Sequence, residues 1–436
     1  MKVAAASASK GRGILLFIVS SSLGTYLEFL DYTLFAYASK IISAKLLPQS
    51  ENALAYTWII FAASFLFRIL GTIVFGSIGD RMGGKPALLL SMFLMSVSTS
   101  AIGFIPNFEV FGWLSPFFLL LFRSLQSFAV SPEYSGAATY LRNNGFLKKR
   151  FSFASSITVA VAGFGMLSGG YLMSKMIGGY APADLPEWRW RLPFILSGIL
   201  VGSSGLLLRM CMVTEDTHER RKGSLVGPMK NILRFQRRDA IRTIIVVGLA
   251  GIMTYTLSGY FANFLHNERE YALGEALSMT SMNSVLLCIS ILVSGYFADK
   301  FTSLTVLRFA VLLVMALSLP IFYLINTGSP FEVRIGLTLF TALMGLFSGP
   351  LPGFLASSFE QKYRYTGSSL GYNLGMSIFG GITPLSMLSF SKVSHYAPSV
   401  VITLYALLVF GLLRTTTRKF PSRESKSVDI IWGGSI

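Results

Sequence analysis

The chain has 436 residues, of which 53% are hydrophobic and 13% charged, and its mean hydropathy is +0.60. Soluble domains carry about 25% charged residues, so this composition excludes a water-soluble multidomain protein, an intrinsically disordered chain, a collagen-like rod and a disulfide-stapled secreted domain. The net charge of +17 suggests a nucleic-acid partner at first sight, but a basic groove needs a soluble domain to carry it.

A bilayer-crossing helix needs about 20 predominantly apolar residues. Twelve such runs follow one another, over 14–38, 54–79, 86–106, 112–140, 151–175, 191–213, 241–265, 273–298, 304–326, 331–358, 366–390 and 397–417. The fold class expected is therefore an all-α polytopic membrane protein. Lys2, Lys10 and Arg12 ahead of the first run imitate a signal peptide. Apolar character resumes through Phe29, Leu30, Leu34 and Phe35, too far for an h-region of about 7–15 residues, so the run is expected to remain as span 1.

Of the 37 Lys and Arg residues, 27 fall at the two termini and in the loops after even-numbered spans, 8 fall in the other loops, and Arg68 and Arg123 lie inside spans. The Lys/Arg bias of the loops sets orientation and predicts both termini in the cytoplasm; the membrane expected is a bacterial inner membrane. It also accounts for the net charge, so nucleic acid is not expected as a partner and membrane lipid is. The longest polar stretch, 214–240, is basic and partly amphipathic. It reads as a linker between two six-span halves or as a helix lying on an anionic leaflet. Expected units are 1–213, 214–240, 241–418 and a short tail, 419–436.

Repetition supports two halves. Gly76-Ser-Ile-Gly79-Asp80-Arg81 follows span 2, and Gly295-Tyr-Phe-Ala298-Asp299-Lys300 stands at the same place after span 8. A duplicated bundle places its substrate site near the midplane, between the halves.

Ionisable side chains inside the bilayer are costly, so each is a functional candidate. Span 1 carries Glu28 and Asp31, whose i, i+3 spacing puts them on one helix face. Each carboxylate in a partly dry site favours the protonated form of the other, which suits a proton carrier; the alternative is a pair neutralised by arginine to hold helices together. Arg68 in span 2 and Arg123 in span 4 lie near mid-bilayer. Gln126 shares the face of Arg123, and span 4 continues through Ser127 to Glu133. A guanidinium suits a substrate carboxylate or an ion pair with Glu28, Asp31 or Glu133. Tyr255 and Tyr260 in span 7, and Tyr372 and Asn373 in span 11, are candidates to line the cavity from the second half. Interhelical hydrogen bonding is the competing use of such residues.

The remaining inventory is thin. Cys211 and Cys288 are 77 residues apart and form neither a CxxC nor a zinc spacing; they read as small apolar fillers. Neither HExxH nor the Walker A motif occurs. The three histidines sit in loops or at a span edge, so no cofactor or metal is expected. The glycines of span 5, among them Gly165 and Gly170, read as close helix packing.

Gly76-x-x-Gly79-Asp80-Arg81-x-Gly83-x-Lys85 resembles the loop 2–3 signature of the major facilitator superfamily. Glu28-Phe-Leu-Asp31-Tyr, Arg68-Ile-Leu-Gly71, Gln126-Ser-Phe-Ala-Val-Ser-Pro-Glu133, Trp190-Arg191-Leu-Pro193-Phe and Arg364-Tyr-Thr-Gly-Ser-Ser-Leu-Gly-Tyr-Asn373 are similar to the metabolite:H⁺ symporters within it. The resemblance implies a twelve-helix fold of two pseudo-symmetric bundles. It also implies a small-molecule substrate carried with a proton, and a gating motif at Gly76, Gly79, Asp80 and Arg81 with its counterpart at Asp299 and Lys300. Ser131-Pro132 departs from the glycine pair common before Glu133. The function expected is proton-coupled import of a small carboxylate-bearing metabolite, an organic acid or a zwitterion such as an amino acid or betaine. The alternatives are an exporter of a metabolite or drug and, in another class, a non-transporting sensor; an enzyme is not expected.

Overall fold

The computed structural model describes residues 2–82, 84–132, 150–178, 180–181, 184–210, 232, 234–360 and 364–415. The expected linker lies partly, and the expected tail wholly, outside the described residues, as do Glu133 and Cys211. Of Gly76, Gly79, Asp80 and Arg81 only the helical backbone is described, so the gating role expected of these side chains lies outside it too.

Twelve helical segments follow the twelve apolar runs. They are α1 (Lys2–Leu46), α2 (Ala53–Met82), α3 (Gly84–Ile102), α4 (Leu114–Val130) and α5 (Phe151–Ile177). Next, α6 runs over Glu187–Leu196 and, after a π turn Ser197–Val201, over Gly202–Met210. Segment α7 covers Arg237–Tyr255, a π turn Thr256–Phe261, and Ala262–Asn267. The second half continues with α8 (Leu273–Met282 and Ser284–Lys300), α9 (Ser303–Thr327) and α10 (Pro330–Ser348 and Leu351–Ser358). It ends with α11 (Arg364–Gly375, a π turn Met376–Gly380, Thr383–Ser391) and α12 (Ala397–Arg414).

Which segments sit inside follows from their composition. The apolar windows of α7 and α10 are 78% and 83% buried, while those of α9 and α12 are 39% and 33%. The outer helices therefore keep apolar side chains such as Phe93, Phe309, Tyr323 and Leu404 exposed, as a lipid-facing surface requires. Helix ends are closed by specific groups. Ser329 and Glu332 form a capping box at the start of α10. Arg191, at the start of α6, donates to the carbonyls of Gly103 and Ile105 beyond the end of α3. This ties the chain leaving α3 to the start of α6.

The halves meet through α1 against α7, α2 against α11 and α5 against α8. Small residues permit the approach. A Cβ on Gly170 of α5 would stand 2.3 Å from Cβ of Ser281 in α8, so the close packing expected of the span 5 glycines is present. We call the end bearing the loops after even-numbered segments the even-loop end and the opposite one the odd-loop end. At the odd-loop end Lys40 donates to Asn267, Tyr37 and Thr280 share a hydrogen bond of 2.7 Å, and Ser174 donates to the Gly274 carbonyl at 2.7 Å. At the even-loop end the Asp299 carboxylate accepts from the backbone N–H groups of Ser152 and Phe153 at 2.7 and 2.9 Å. The halves therefore touch at both ends. Between them lies an apolar cavity of about 40 Å³, lined in part by Phe29, Met166, Ile291, Tyr372 and Met376.

Candidate functional site

The four intramembrane charges gather at the centre of the bundle. Glu28, Asp31, Arg68 and Arg123 are each 2% exposed or less. The carboxylates share a face of α1, as their spacing requires, but each turns to a different helix. Arg68 Nη2 of α2 donates to Glu28 Oε1 at 3.0 Å, and Arg123 Nη1 of α4 donates to Asp31 Oδ2 at 2.7 Å. A buried charge is tolerable only when paired and hydrogen-bonded. Two carboxylates set against two guanidinium groups meet that condition.

The two pairs differ in what else they touch. Arg68 uses all three nitrogens: Nε donates to Asn373 Oδ1 of α11 at 2.7 Å, Nη1 to the Tyr32 hydroxyl at 2.6 Å, and Nη2 to Glu28. Asn373 in turn donates through Nδ2 to the Ser131 carbonyl at 3.1 Å and to Ser369 Oγ at 3.2 Å. The ring of Tyr372 lies 5.4 Å from the Arg68 guanidinium carbon. This inner pair thus reaches across to the second half.

The outer pair stays within the first half. Asp31 Oδ1 accepts from Gln126 Nε2 at 2.6 Å and from Thr99 Oγ1 at 3.3 Å, and Arg123 Nη1 also donates to Gln126 Oε1 at 2.7 Å. Arg123 Nε and Nη2 make no hydrogen bond among the described residues. The guanidinium carbon lies 4.4 Å from the Phe35 ring centroid, 5.1 Å from Phe61 and 5.7 Å from Tyr32. Those rings continue into a cluster with Trp58, Phe65 and Tyr255. The Trp58 indole N–H and the Tyr255 hydroxyl there also lack a hydrogen-bond partner among the described residues. An arginine can donate five hydrogen bonds, and one that is fully buried with an unused edge is a site for an acceptor of matching geometry. A carboxylate fits that fork.

Of the residues expected from sequence, Glu28, Asp31, Arg68, Arg123, Gln126, Tyr372 and Asn373 come together here, and Tyr255 joins through the rings. Tyr260 does not: its ring packs on Phe264 and Phe322, each 5.6 or 6.4 Å away between centroids. Asp299 caps α5 from the other half, whereas Lys300 Nζ lies 5.5 Å from the ring of its neighbour Phe301. The sequence reading missed Tyr32, Thr99, the Ser131 carbonyl and the rings of Phe35, Trp58, Phe61 and Phe65. Only Ser131 carried a signal, as a departure from the family pattern. Among the described residues no cluster of metal-ligating side chains occurs.

Twelve membrane segments in two halves, with a charged, closed-in site between them, define a polytopic secondary transporter. The chain matches the Major Facilitator Superfamily over residues 14–384; it belongs to this family of transporters and is a multi-pass integral membrane protein. It is 30% identical over 407 residues to the "Putative proline/betaine transporter" of Staphylococcus haemolyticus, covering 90% of this chain and 85% of that one. It is 29% identical over 379 residues to the inner membrane metabolite transport protein YhjE of Escherichia coli, covering 84% and 86%. Among solved structures, a D-xylose-proton symporter superposes with a TM-score of 0.71 at 15% identity, covering 91% of this chain and 97% of that one. The human organic anion transporter MFSD10 superposes with a TM-score of 0.63 at 17% identity, covering 92% and 99%. These likenesses bear on the twelve-helix fold.

Proposed function

We propose that this transporter imports a small carboxylate-bearing metabolite together with a proton, by alternating access of its two halves to either side of a bacterial inner membrane with both termini in the cytoplasm. The observation that carries the reading is Arg123: fully buried, paired to Asp31 through one nitrogen, with Nε and Nη2 unpartnered among the described residues. The substrate's carboxylate takes that free edge. The Glu28 and Asp31 carboxylates supply the proton-binding group, since each is an acid whose counter-charge can be shared with or lost to an incoming anion.

Between an organic acid and a zwitterion, two observations favour the zwitterion. The rings of Tyr32, Phe35 and Phe61 surround a cation already, and aromatic faces hold quaternary ammonium groups by the same attraction. The relatives' names include proline and betaine. A zwitterion enters the outer pair with its carboxylate on Arg123 and its ammonium toward Asp31 and the rings.

Liposomes containing the purified protein and a pH-sensitive dye test this. Glycine betaine or proline added outside is expected to acidify the interior, with no acidification in empty liposomes or with Arg123→Ala. Silence with these, and with pooled amino acids and organic acids, while radiolabel still equilibrates, would rule out proton symport.

Asp299 supplies a second expectation. Alanine there leaves two backbone N–H groups at the start of α5 without their acceptor across the halves, a loss of about 1–3 kcal/mol for the closed even-loop end. Asp299→Ala should lower the steady-state accumulation ratio severalfold, and Asp299→Asn, which keeps an acceptor oxygen, should fall between it and the wild type.

A further inference from the structure

Resting on the proton-symport reading above, we infer that the coupling proton is carried on Glu28, and that Asn373 is the positioning residue through which its arrival is felt in the second half.

The two carboxylates are not equivalent. Every partner of Asp31 comes from the first half: Arg123 and Gln126 from α4 and Thr99 from α3. Among the described residues, none of its own hydrogen bonds crosses to α7–α12. A proton on Asp31 must also displace one of the donors that fill its two oxygens. Glu28 is tied to Arg68, and Arg68 Nε is the donor that holds Asn373 of α11. The Asn373 amide is oriented by this contact. Its oxygen faces the guanidinium, and its nitrogen faces the Ser131 carbonyl at the end of α4. A single C-half side chain is thus clasped from both sides by the first half, on α2 and on α4. Directly after it, α11 passes into the π turn Met376–Gly380, a helix irregularity that accompanies functional movement.

Among the charged and titratable groups of the described residues, Arg68 of α2, Tyr255 of α7 and Tyr32 on its own helix act on Glu28, and Arg123 of α4, Tyr372 of α11 and Asp31 belong to the same cluster. Segment α5 packs along the other side of α1 with no ionisable residue between Phe151 and Gly170. While Glu28 is ionised, the Arg68 fork is held by Glu28 and Tyr32, and its third nitrogen clasps Asn373. When a proton neutralises Glu28, Arg68 loses its counter-charge, and the other carboxylate of the cluster among the described residues is Asp31, one turn further along α1. Moving toward it takes Nε away from Asn373. That frees α11 from α2, and the even-loop end can open. Proton loading and inward opening are then one event.

The test reads this latch without a transported substrate. Spin labels on Arg150→Cys and Glu360→Cys, at the even-loop ends of the two halves in a background lacking Cys211 and Cys288, report their separation in nanodiscs. In the otherwise unaltered protein, lowering the pH from about 8 to about 5.5 is expected to raise the long-distance population severalfold. Glu28→Gln should show the long distance at both pH values, and Asn373→Ala likewise, because the clasp is absent whatever the state of Glu28. Asn373→Ser, too short to reach Arg68 but retaining a hydroxyl, should match the alanine variant and serves if alanine impairs folding. Asp31→Asn should keep the pH response. An unaltered pH response in both Asn373 variants, or its loss in Asp31→Asn but not in Glu28→Gln, would overturn the assignment. Parallel liposome assays with glycine betaine and proline separate the two readings. Acidification by wild-type protein with an unaltered latch response in Asn373→Ser leaves symport standing and removes the latch. No acidification by wild-type protein removes symport, and the distances still decide the latch.

Discussion

Replacing Arg123 with lysine is expected to lower uptake by at least about two orders of magnitude while leaving the protein folded. Lysine keeps the positive charge and can still pair with Asp31. It cannot present the planar edge that Nε and Nη2 offer, and a misplaced anchoring group of this kind costs about 100-fold. Arg123→Ala should lose transport as well, but for two reasons at once. It removes the anchor, and it strands Asp31, which is fully buried, without its counter-charge; breaking one side of a buried pair costs about 3–5 kcal/mol. The double variant Arg123→Met with Asp31→Asn separates the two. Its thermal unfolding should return toward the wild type because no unpaired charge remains, while substrate binding by equilibrium titration stays absent. If the lysine variant transports normally, the carboxylate is held elsewhere, and Arg123 is only the glue that keeps α1 against α4.

What could be read from the sequence, and what could not, divides along a physical line. The spans, their number and the four central charges were legible, because a charge within an apolar run of membrane length has few explanations. The shared face of Glu28 and Asp31 was legible too, since it follows from helical geometry alone. Their partners were not. Whether Asp31 meets Arg68 or Arg123 depends on how far α2 and α4 slide along α1, and no residue pattern within one helix encodes that. The sequence left open, for this reason, both a pair of carboxylates acting on each other and a pair neutralised by arginines; the structure shows each paired to its own arginine. The aromatic enclosure was hidden differently. Phe35, Trp58, Phe61 and Phe65 are what a buried helix face looks like in any bundle. Only three-dimensional placement around a guanidinium gives them another use. Thr99 is one hydroxyl among many in the spans. Ser131 was visible as an oddity, and its reason is now plain: its carbonyl holds Asn373, and its hydroxyl donates to the Arg68 carbonyl at 2.7 Å.

That last contact makes a glycine the most sensitive small residue near the site. Gly71 lies one turn beyond Arg68 on α2, and a Cβ built there would stand 2.1 Å from the Phe128 carbonyl oxygen and 2.4 Å from Ser131 Oγ of α4. The carbonyl belongs to the helix backbone and cannot rotate away as a side chain can, so Gly71→Ala requires α2 and α4 to separate. Overpacking of this sort costs about 1–3 kcal/mol. The larger effect is on transport. Arg68 rides on α2 and Arg123 on α4, so pushing these helices apart spoils both ion pairs against α1 and draws Ser131 away from Asn373. Uptake by Gly71→Ala is expected to fall at least about tenfold, and Gly71→Val further still, since displacements near 1 Å are enough to misplace anchoring groups. The matched control is Gly411 of α12, an exposed helical glycine with nothing within 4 Å of its Cβ position. Alanine there should stabilise the protein by about 0.5–1 kcal/mol through backbone entropy and leave uptake unchanged. Thermal unfolding and radiolabelled uptake on the same preparations distinguish these outcomes. Wild-type transport in Gly71→Ala would mean that the spacing of α2 and α4 does not set the geometry of the charged pairs.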